Sequence, residues 1–159
     1  MTKALLTRAG YERLLQELRQ LSQVVRPQTL SEVMEAAQDG RLEKNTEYLE
    51  ARSRQVQVER RIQHLQQTLA NSEVLVGSNL APTRAVFNSQ VRIRNLLTGQ
   101  ILSFQLVGEE ESDAQQGRLS IASPVGRALL GRAVGDQIRI QTPGGLRVYQ
   151  ILEIQMGNT

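Results

Sequence analysis

The side chains that most often carry catalysis are nearly absent from this chain. It has 159 residues with a single histidine, His64, and no cysteine. The missing thiols exclude disulfides, thiol catalysis and cysteine-ligated metals. One histidine leaves almost no material for a Ser-His-Asp triad or a multi-histidine zinc site. We therefore predict no catalytic centre, no metal and no cofactor of its own, and we assign no role to His64.

The bulk composition is typical of long helices joined to a packed core. Hydrophobic residues make up 40% of the chain, charged residues 22% and aromatic residues only 3%, which favours packing through Leu, Val and Ala. The net charge of +3 permits contact with nucleic acid or an acidic protein surface without requiring it. No run approaches eighteen apolar residues, so we expect a cytoplasmic protein without membrane contact.

The first block of the chain has apolar residues at helical spacing in two stretches. Thr7 is a suitable N-cap for the first helix, Pro27 should kink that helix without ending it, and Asp39-Gly40 should form the turn. The pattern predicts an antiparallel two-helix coiled-coil hairpin with helices at about 8–38 and 42–73. The two stripes consist of Tyr11, Leu14, Leu18, Leu21 and Val25, and of Val58, Ile62, Leu65 and Leu69.

The second block alternates like β-strands and is interrupted by Gly and Pro. Ser123 and Pro124 can open a short helix that runs to Leu130, because serine caps a helix and proline fits its first position. The acidic run from Glu109 to Asp113 is most simply a solvated hairpin loop. Alternating segments predict two β-hairpins, which join residues 88–94 to 101–107 and 137–140 to 146–151.

These patterns divide the chain into two folded parts of an α+β protein. We predict a coiled-coil hairpin domain at 1–76, a linker at 77–83 and a β-rich domain at 84–159. The apolar seam explains how the two helices pack, but it does not explain why they extend beyond a compact core. A long, narrow element of this kind indicates a protein that reaches into a partner.

Three segments, in this order and over nearly the whole chain, together resemble the bacterial Gre factors, GreA and GreB. The pair Arg26-Pro27 leans slightly towards GreB. The similar residues are 6–14 with 17–18 in the opening helix, Ala36-Ala37, Gly40, Asn45 and Tyr48 around the turn, and 120–131 with 134–136 in the second domain.

The resemblance implies a fold, a partner and a mode of action. The domain at 84–159 is expected to have the family's FKBP-like α+β fold, without prolyl isomerase activity. It would dock on the rim of the secondary channel of bacterial RNA polymerase through Ser123, Pro124 and Arg127. The hairpin would then enter the channel. In cleavage-competent members two acidic tip residues help to hold the polymerase's second Mg²⁺, while the polymerase hydrolyses its own backtracked RNA. The chain would thus be a monomeric accessory factor and not an enzyme, with at most indirect contact with that Mg²⁺.

The sequence departs from the family at the two acidic tip positions. The first acid of the family's motif falls on Arg41 and the second on Lys44. Both changes reverse charge, and a cation about 4 Å from a divalent ion is repelled by several kcal/mol even at an effective dielectric near 20. We therefore expect a factor that occupies the channel and regulates elongation without stimulating transcript cleavage. The tip positions that still match are Gly40, Asn45, Glu47 and Tyr48.

Two alternatives stay open. Asp39 and Glu43 are displaced acids that could replace the missing pair and give an active cleavage-stimulating factor. Their simpler interpretation is a surface charge at a turn and a helix N-terminal acid favoured by the helix dipole. The chain could also be a coiled-coil adaptor unrelated to polymerase.

Four arginines along the second helix are a further candidate contact. In Gre factors this helix carries a basic patch that faces the extruded transcript, and positive charge attracts phosphates without reading bases. The resemblance thus implies contact with nascent RNA or other nucleic acid, including DNA, in the elongation complex. The alternative is pairing with nearby carboxylates such as Glu50 and Glu59. The residues are Arg52, Arg54, Arg60 and Arg61.

Overall fold

The computed structural model describes residues 3–38, 45–75 and 82–157. The chain divides into a hairpin unit, Tyr11–Ser72, and a sheet unit made of Met1–Gly10 with Glu73–Thr159. The predicted hairpin domain began at residue 1, whereas the first ten residues belong to the sheet unit. Of the predicted linker at 77–83, only Pro82 and Thr83 lie within the described residues.

The hairpin unit contains one interrupted helix and one continuous helix. The first runs through α1 (Arg8–Gln20), a π-helical turn (Leu21–Val25) and α2 (Arg26–Ala36), and the second is α3 (Thr46–Ala70). The predicted bounds of 42–73 for the second helix were therefore too wide at both ends. The helix begins at Thr46 because the side chain of Asn45 caps it. It ends at Ala70 because the chain continues into a strand at Ser72.

The irregularity predicted at Pro27 takes the form of the π turn that precedes it. The Arg26 backbone N–H donates to the Leu21 carbonyl, five residues earlier, which is the bond that defines a π turn. Proline has no N–H, and its ring crowds the carbonyl four residues before it. A turn widened by one residue relieves that crowding, so the helix continues past Pro27 to Ala36.

Ion pairs between the two helices show that they are antiparallel, as the sequence predicts. Glu17 pairs with Arg61, and Glu32, further along the first helix, pairs with Arg54, nearer the start of the second. Residue numbers therefore increase along the first helix while the numbers of their partners on the second helix decrease. Among the described residues of this unit, the buried apolar side chains are Leu14, Ala36, Ala51, Ile62 and Leu65.

The sheet unit is built on five strands in the order β5-β4-β3-β7-β6. Both predicted β-hairpins are present, since β3 pairs with β4 and β6 pairs with β7, each antiparallel. Two short strands that the sequence did not reveal, β1 and β2, pair separately. The strands are β1 (Ala4–Leu6), β2 (Ser72–Val74), β3 (Ser89–Asn95), β4 (Ile101–Val107), β5 (Arg118–Ser120), β6 (Gln137–Thr142) and β7 (Gly145–Met156).

One face of the large sheet forms the apolar core. Strand β3 alternates buried and exposed residues along its whole length, which is the pattern of a sheet with one packed face. Helix α4 (Pro124–Leu129) covers that face through Val125, Ala128 and Leu129. The predicted α+β fold class is confirmed. The strand residues in the core are Val91, Ile93, Leu106, Ile138, Ile140, Tyr149, Ile151 and Ile154.

The acidic run after β4 was predicted wrongly as a solvated hairpin loop. Strands β4 and β5 are parallel, so the connection between them cannot be a hairpin. Glu109–Glu111 forms a 3-10 turn, and Glu111 is only 5% exposed. Its side-chain oxygens accept hydrogen bonds from Thr7, so this buried polar group has partners.

Candidate functional site

Asn45 joins the ends of the two long helices. Its side-chain Oδ1 accepts from the backbone N–H of Tyr48 at 3.1 Å and so caps α3. Its Nδ2 donates to the carbonyl of Ala36, at the end of α2, at 2.7 Å. One amide therefore satisfies backbone groups on both helices, which uses both its acceptor and its donor. The interactions of this predicted tip residue close the described part of the hairpin.

The other predicted tip residues fall into two sets. Glu47 and Tyr48 lie in the first turn of α3, with Glu47 exposed and Tyr48 half-buried. Glu47 also lines a shallow groove whose walls include Glu32, Glu35, Glu50 and Arg54. Within the described residues, no group of three or more His, Asp or Glu is arranged to hold a metal ion. The remaining tip residues, Asp39, Gly40, Arg41, Glu43 and Lys44, lie outside the described residues.

The four arginines of the predicted basic patch differ in their pairing. Arg61 makes a two-pronged contact with Glu17 on α1, at 2.8 and 2.9 Å. Arg54 pairs more loosely with Glu32 at 3.4 Å. Arg52 donates to the neutral side chain of Gln55, and Arg60 is exposed. Among the ion pairs of the described residues, Arg54 and Arg61 pair with carboxylates of the first helix, whereas Arg52 and Arg60 do not.

The predicted docking residues form a rigid corner at the start of α4. The Ser123 hydroxyl accepts from the Gly126 N–H at 3.1 Å and donates to the Ser120 carbonyl at 2.6 Å. Gly126 allows the close approach, because a Cβ there would lie 2.0 Å from the Ser120 carbonyl oxygen. Pro124 occupies the first turn of the helix and is exposed. The N-cap role predicted for Ser123 is confirmed.

Arg127 follows on the outer side of the same helix. Its side chain is exposed, while its backbone N–H donates to the Ser123 carbonyl at 2.8 Å. Pro124 and Arg127 are thus both exposed on α4. The start of this helix is held at the end of β5 by the hydrogen bonds of Ser123. Such a corner can contact a partner without first becoming ordered.

A polar link that the sequence did not reveal connects the start of the chain to the acidic turn. The backbone N–H and the hydroxyl of Thr7 donate to the two carboxylate oxygens of Glu111, at 2.7 and 2.6 Å. The same hydroxyl accepts from the Gly10 N–H at 3.0 Å, which confirms Thr7 as the N-cap of α1. A Cβ on Gly10 would lie 1.9 Å from the carboxylate. The only local signal was Thr7 followed three residues later by Gly10.

None of the described helices combines the length and apolar character needed to cross a bilayer.

Two family descriptions match the chain in succession. Residues 4–74 match "Transcription elongation factor, N-terminal", and residues 80–156 match "Transcription elongation factor, GreA/GreB, C-term". Together these regions cover both compact units. The lean towards GreB is not confirmed by these descriptions.

Individual relatives are similar over almost their whole length. The transcription elongation factor GreA of Methylococcus capsulatus is 37% identical over 156 residues, which is 98% of this chain and 99% of the relative. GreA of Syntrophobacter fumaroxidans is 39% identical over 155 residues, again 98% of this chain and 99% of the relative. Among solved structures, the transcription factor Gfh1 is 30% identical and covers 97% of this chain and 99% of its own, with a TM-score of 0.47. The two regional matches and the two GreA relatives show that the chain belongs to the GreA/GreB family of transcription elongation factors.

Proposed function

We propose that this chain binds bacterial RNA polymerase, inserts its hairpin tip into the secondary channel and regulates elongation without stimulating transcript cleavage. The sheet unit docks on the channel rim through Ser123, Pro124 and Arg127. Any RNA cleavage in the complex is the chemistry of the polymerase, so the chain acts as an accessory factor.

The hairpin supports a role in reaching a buried site. Its second helix, α3, spans 25 residues, which corresponds to about 37 Å at a rise of ~1.5 Å per residue. Asn45 links the end of α2 to the start of α3 through its two hydrogen bonds. A hairpin this long with few fully buried apolar residues gains little stability from its length. This favours the interpretation that the length serves to reach a partner's interior.

The charge of the tip carries the proposal that cleavage is not stimulated. Arg41 and Lys44 stand where the family's motif has its two acids. Carboxylate oxygens are the ligands that Mg²⁺ takes from proteins, and an arginine or lysine offers no acceptor. The tip therefore brings positive charge, rather than ligands, towards the metal centre of the polymerase.

The experiment compares three tip sequences on stalled, backtracked elongation complexes. The unmodified chain is expected to give no acceleration of Mg²⁺-dependent RNA cleavage. Arg41→Asp with Lys44→Glu restores the motif and should gain measurable cleavage. Arg41→Asn with Lys44→Gln is the matched control, because it removes the cations without supplying carboxylates, and it should stay inactive.

The alternatives correspond to distinct outcomes. Robust cleavage by the unmodified chain, abolished by Asp39→Asn with Glu43→Gln, would identify those displaced acids as the working pair. Absence of binding between the chain and purified RNA polymerase would instead favour a coiled-coil adaptor with another partner.

Docking is tested separately from cleavage. Pro124→Ala with Ser123→Glu should lower the affinity for polymerase by about tenfold or more, because the substitutions remove the proline and place a carboxylate at the corner. Thermal unfolding of the variant checks that α4 is still formed. Unchanged affinity in a folded variant would mean that the contact lies elsewhere.

We further propose that Arg52 and Arg60 contact nascent RNA in the complex. These two side chains carry charge that no carboxylate neutralises among the ion pairs described for the hairpin. Crosslinking of transcript to the chain should fall in the Arg52→Gln, Arg60→Gln variant and should persist in Arg54→Gln, whose charge is already paired.

A further inference from the structure

The large sheet of the sheet unit has a second face, opposite its core. Helix α4 packs on the core face, and the exposed residues of β3 and β6 point to the other side. We call this other side the open face. Cross-strand partners there are defined by the register, with Arg94 opposite Ile101 and Gln150, and Arg139 opposite Val148. Directly opposed side chains lie about 5 Å apart, so these residues form one continuous surface.

One end of the open face is apolar. We call this the open-face patch and define it as Leu96, Ile101, Leu146 and Val148. Leu96, Ile101 and Leu146 are exposed by 40%, 41% and 46%. Val148 is 9% exposed and is not part of the core cluster, so it forms the floor of the patch. Leu96 adjoins it, since the Leu96 N–H donates to the Val148 carbonyl at 2.8 Å.

Two arginines border the patch, and neither has an acidic neighbour across the strands. Arg94 faces Ile101 and Gln150, and Arg139 faces Val148. Arg92 lies two residues from Arg94 on the same face and does have an acidic neighbour. Glu153 is its cross-strand partner, and the Arg92 Nη1 lies 3.9 Å from the Glu153 Oε2. Opposite charges across a strand pair are stabilising, and that stabilisation is missing where the arginines meet apolar residues.

The open-face patch is distinct from the corner at Ser123 and Pro124. Strand β5, which leads to that corner, pairs with residues 105–107 of β4. Ile101 is at the opposite end of β4, and α4 is on the opposite face. A partner bound at the corner therefore leaves the patch accessible.

We propose that the open-face patch is a second protein-docking surface, which takes an apolar segment flanked by carboxylates on the RNA polymerase complex. The proposal rests on the proposed function, since that function supplies the partner. Exposed apolar clusters mark protein contacts, and arginine is enriched at protein interfaces. The two uncompensated arginines set the charge of the partner as negative.

Other occupants fit the surface less well. Nucleic acid bound as a single strand needs aromatic side chains for its bases to stack on, and Tyr149, the tyrosine on these strands, is buried on the core side. A second copy of the chain related by a two-fold axis would bring the same patch against itself. Arg94 and Arg139 of both copies would then meet without carboxylates between them.

The test measures the affinity of the full-length chain for purified core RNA polymerase. Arg94→Glu should weaken binding by about tenfold, and Leu96→Ser with Leu146→Ser should weaken it similarly. Arg92→Glu is the matched control, a charge reversal on the same strand and face but outside the patch, and it should change affinity by less than about twofold. Thermal unfolding shows whether each variant is folded. If Arg94→Glu destabilises the sheet, Arg94→Gln with Arg139→Gln removes the charge more gently.

Each outcome decides the proposal. Weaker binding in the patch variants alone supports it. Equal affinity in the unmodified chain and all variants overturns it while leaving the proposed function intact. If the patch variants lose affinity for a single-stranded RNA but not for polymerase, the surface takes nucleic acid and the proposal is wrong. If the unmodified chain does not bind polymerase, the proposed function fails and this proposal falls with it.

Discussion

The two compact units are stabilised by different interactions. The sheet unit has one continuous apolar core, in which Val91, Ile93 and Leu106 are fully buried. In the described part of the hairpin unit, five apolar side chains are buried, and two of these are alanines. Half-buried apolar side chains such as Leu18, Val58 and Leu69 add to these, and ion pairs and the amide of Asn45 link the two helices through polar contacts. The sheet unit therefore has the larger fully buried apolar core, whereas the described part of the hairpin combines a thinner apolar seam with polar contacts at particular positions.

This difference sets an expectation for changes at the tip of the hairpin. We expect a change of charge at the tip to leave the apolar core of the sheet unit undisturbed. The GreA relatives are similar over almost the full length of the chain, and the resemblance places the two acids of the family's motif at Arg41 and Lys44. The following variants compare how much the contacts within each unit contribute to stability.

The largest expected effect is a cavity in the core of the sheet unit. Ile93→Ala should lower the free energy of unfolding by about 4 kcal/mol, because the surrounding strands cannot close the cavity. Ile62→Ala is the matched change in the hairpin, at another fully buried isoleucine. It should cost only about 2 kcal/mol, because two helices can move together. Amide hydrogen exchange measures the free energy of unfolding of each unit separately. Equal losses in the two variants would contradict the difference between the units.

A smaller effect is expected at the buried polar link of the sheet unit. Glu111→Gln replaces one carboxylate oxygen with an amide NH₂, so one of the two Thr7 donors loses its acceptor. The expected loss is about 2 kcal/mol, measured by urea unfolding. Glu109→Gln in the same acidic run is the control, since that side chain is exposed. A loss no larger than that of the control would mean that the link contributes nothing to stability.

The sequence predicted this fold well wherever the signal was local. Thr7 and Ser123 cap their helices as expected, and both β-hairpins follow from alternation flanking a Gly-containing turn. Strands β1 and β2 escaped prediction because three residues are too few to show alternation.

Contacts between distant parts of the chain could not be predicted. Thr7 and Glu111 are separated by 104 residues, and nothing local marks Glu111 as different from Glu109. The acidic run was predicted to be solvated because runs of charged residues usually are. That rule does not apply to Glu111, because the buried donors of Thr7 need an acceptor. At the candidate site, the pairing of Arg54 and Arg61 with the first helix was likewise invisible before the helices were placed.

The next effect concerns the amide that closes the hairpin. Asn45→Ala removes the cap of α3 and the bond to Ala36, and it should cost about 1–2 kcal/mol. Asn45→Asp keeps the accepting oxygen for Tyr48 but loses the donor to Ala36, so its effect should be intermediate. Hydrogen exchange of the amides near the start of α3 reports the change. If both variants behave like the unmodified chain, Asn45 does not hold the helix ends together.

The smallest effect is expected from the half-exposed ion pair on the hairpin surface. Arg61→Gln breaks the contact with Glu17, whose side chain is 40% exposed, and should cost about 0.5 kcal/mol. Arg60→Gln, one residue earlier, should be close to neutral. Both can be measured by thermal unfolding at low and high salt, where added salt should reduce the difference. A cost above about 2 kcal/mol would show that the hairpin relies on this pair far more than surface pairs normally allow.

The most direct test of the central claim is the rate of transcript cleavage in backtracked complexes with Arg41→Asp, Lys44→Glu beside the unmodified chain. The account predicts that both bind polymerase equally, that the unmodified chain leaves the rate unchanged, and that the double variant accelerates Mg²⁺-dependent cleavage. Robust acceleration by the unmodified chain would contradict it.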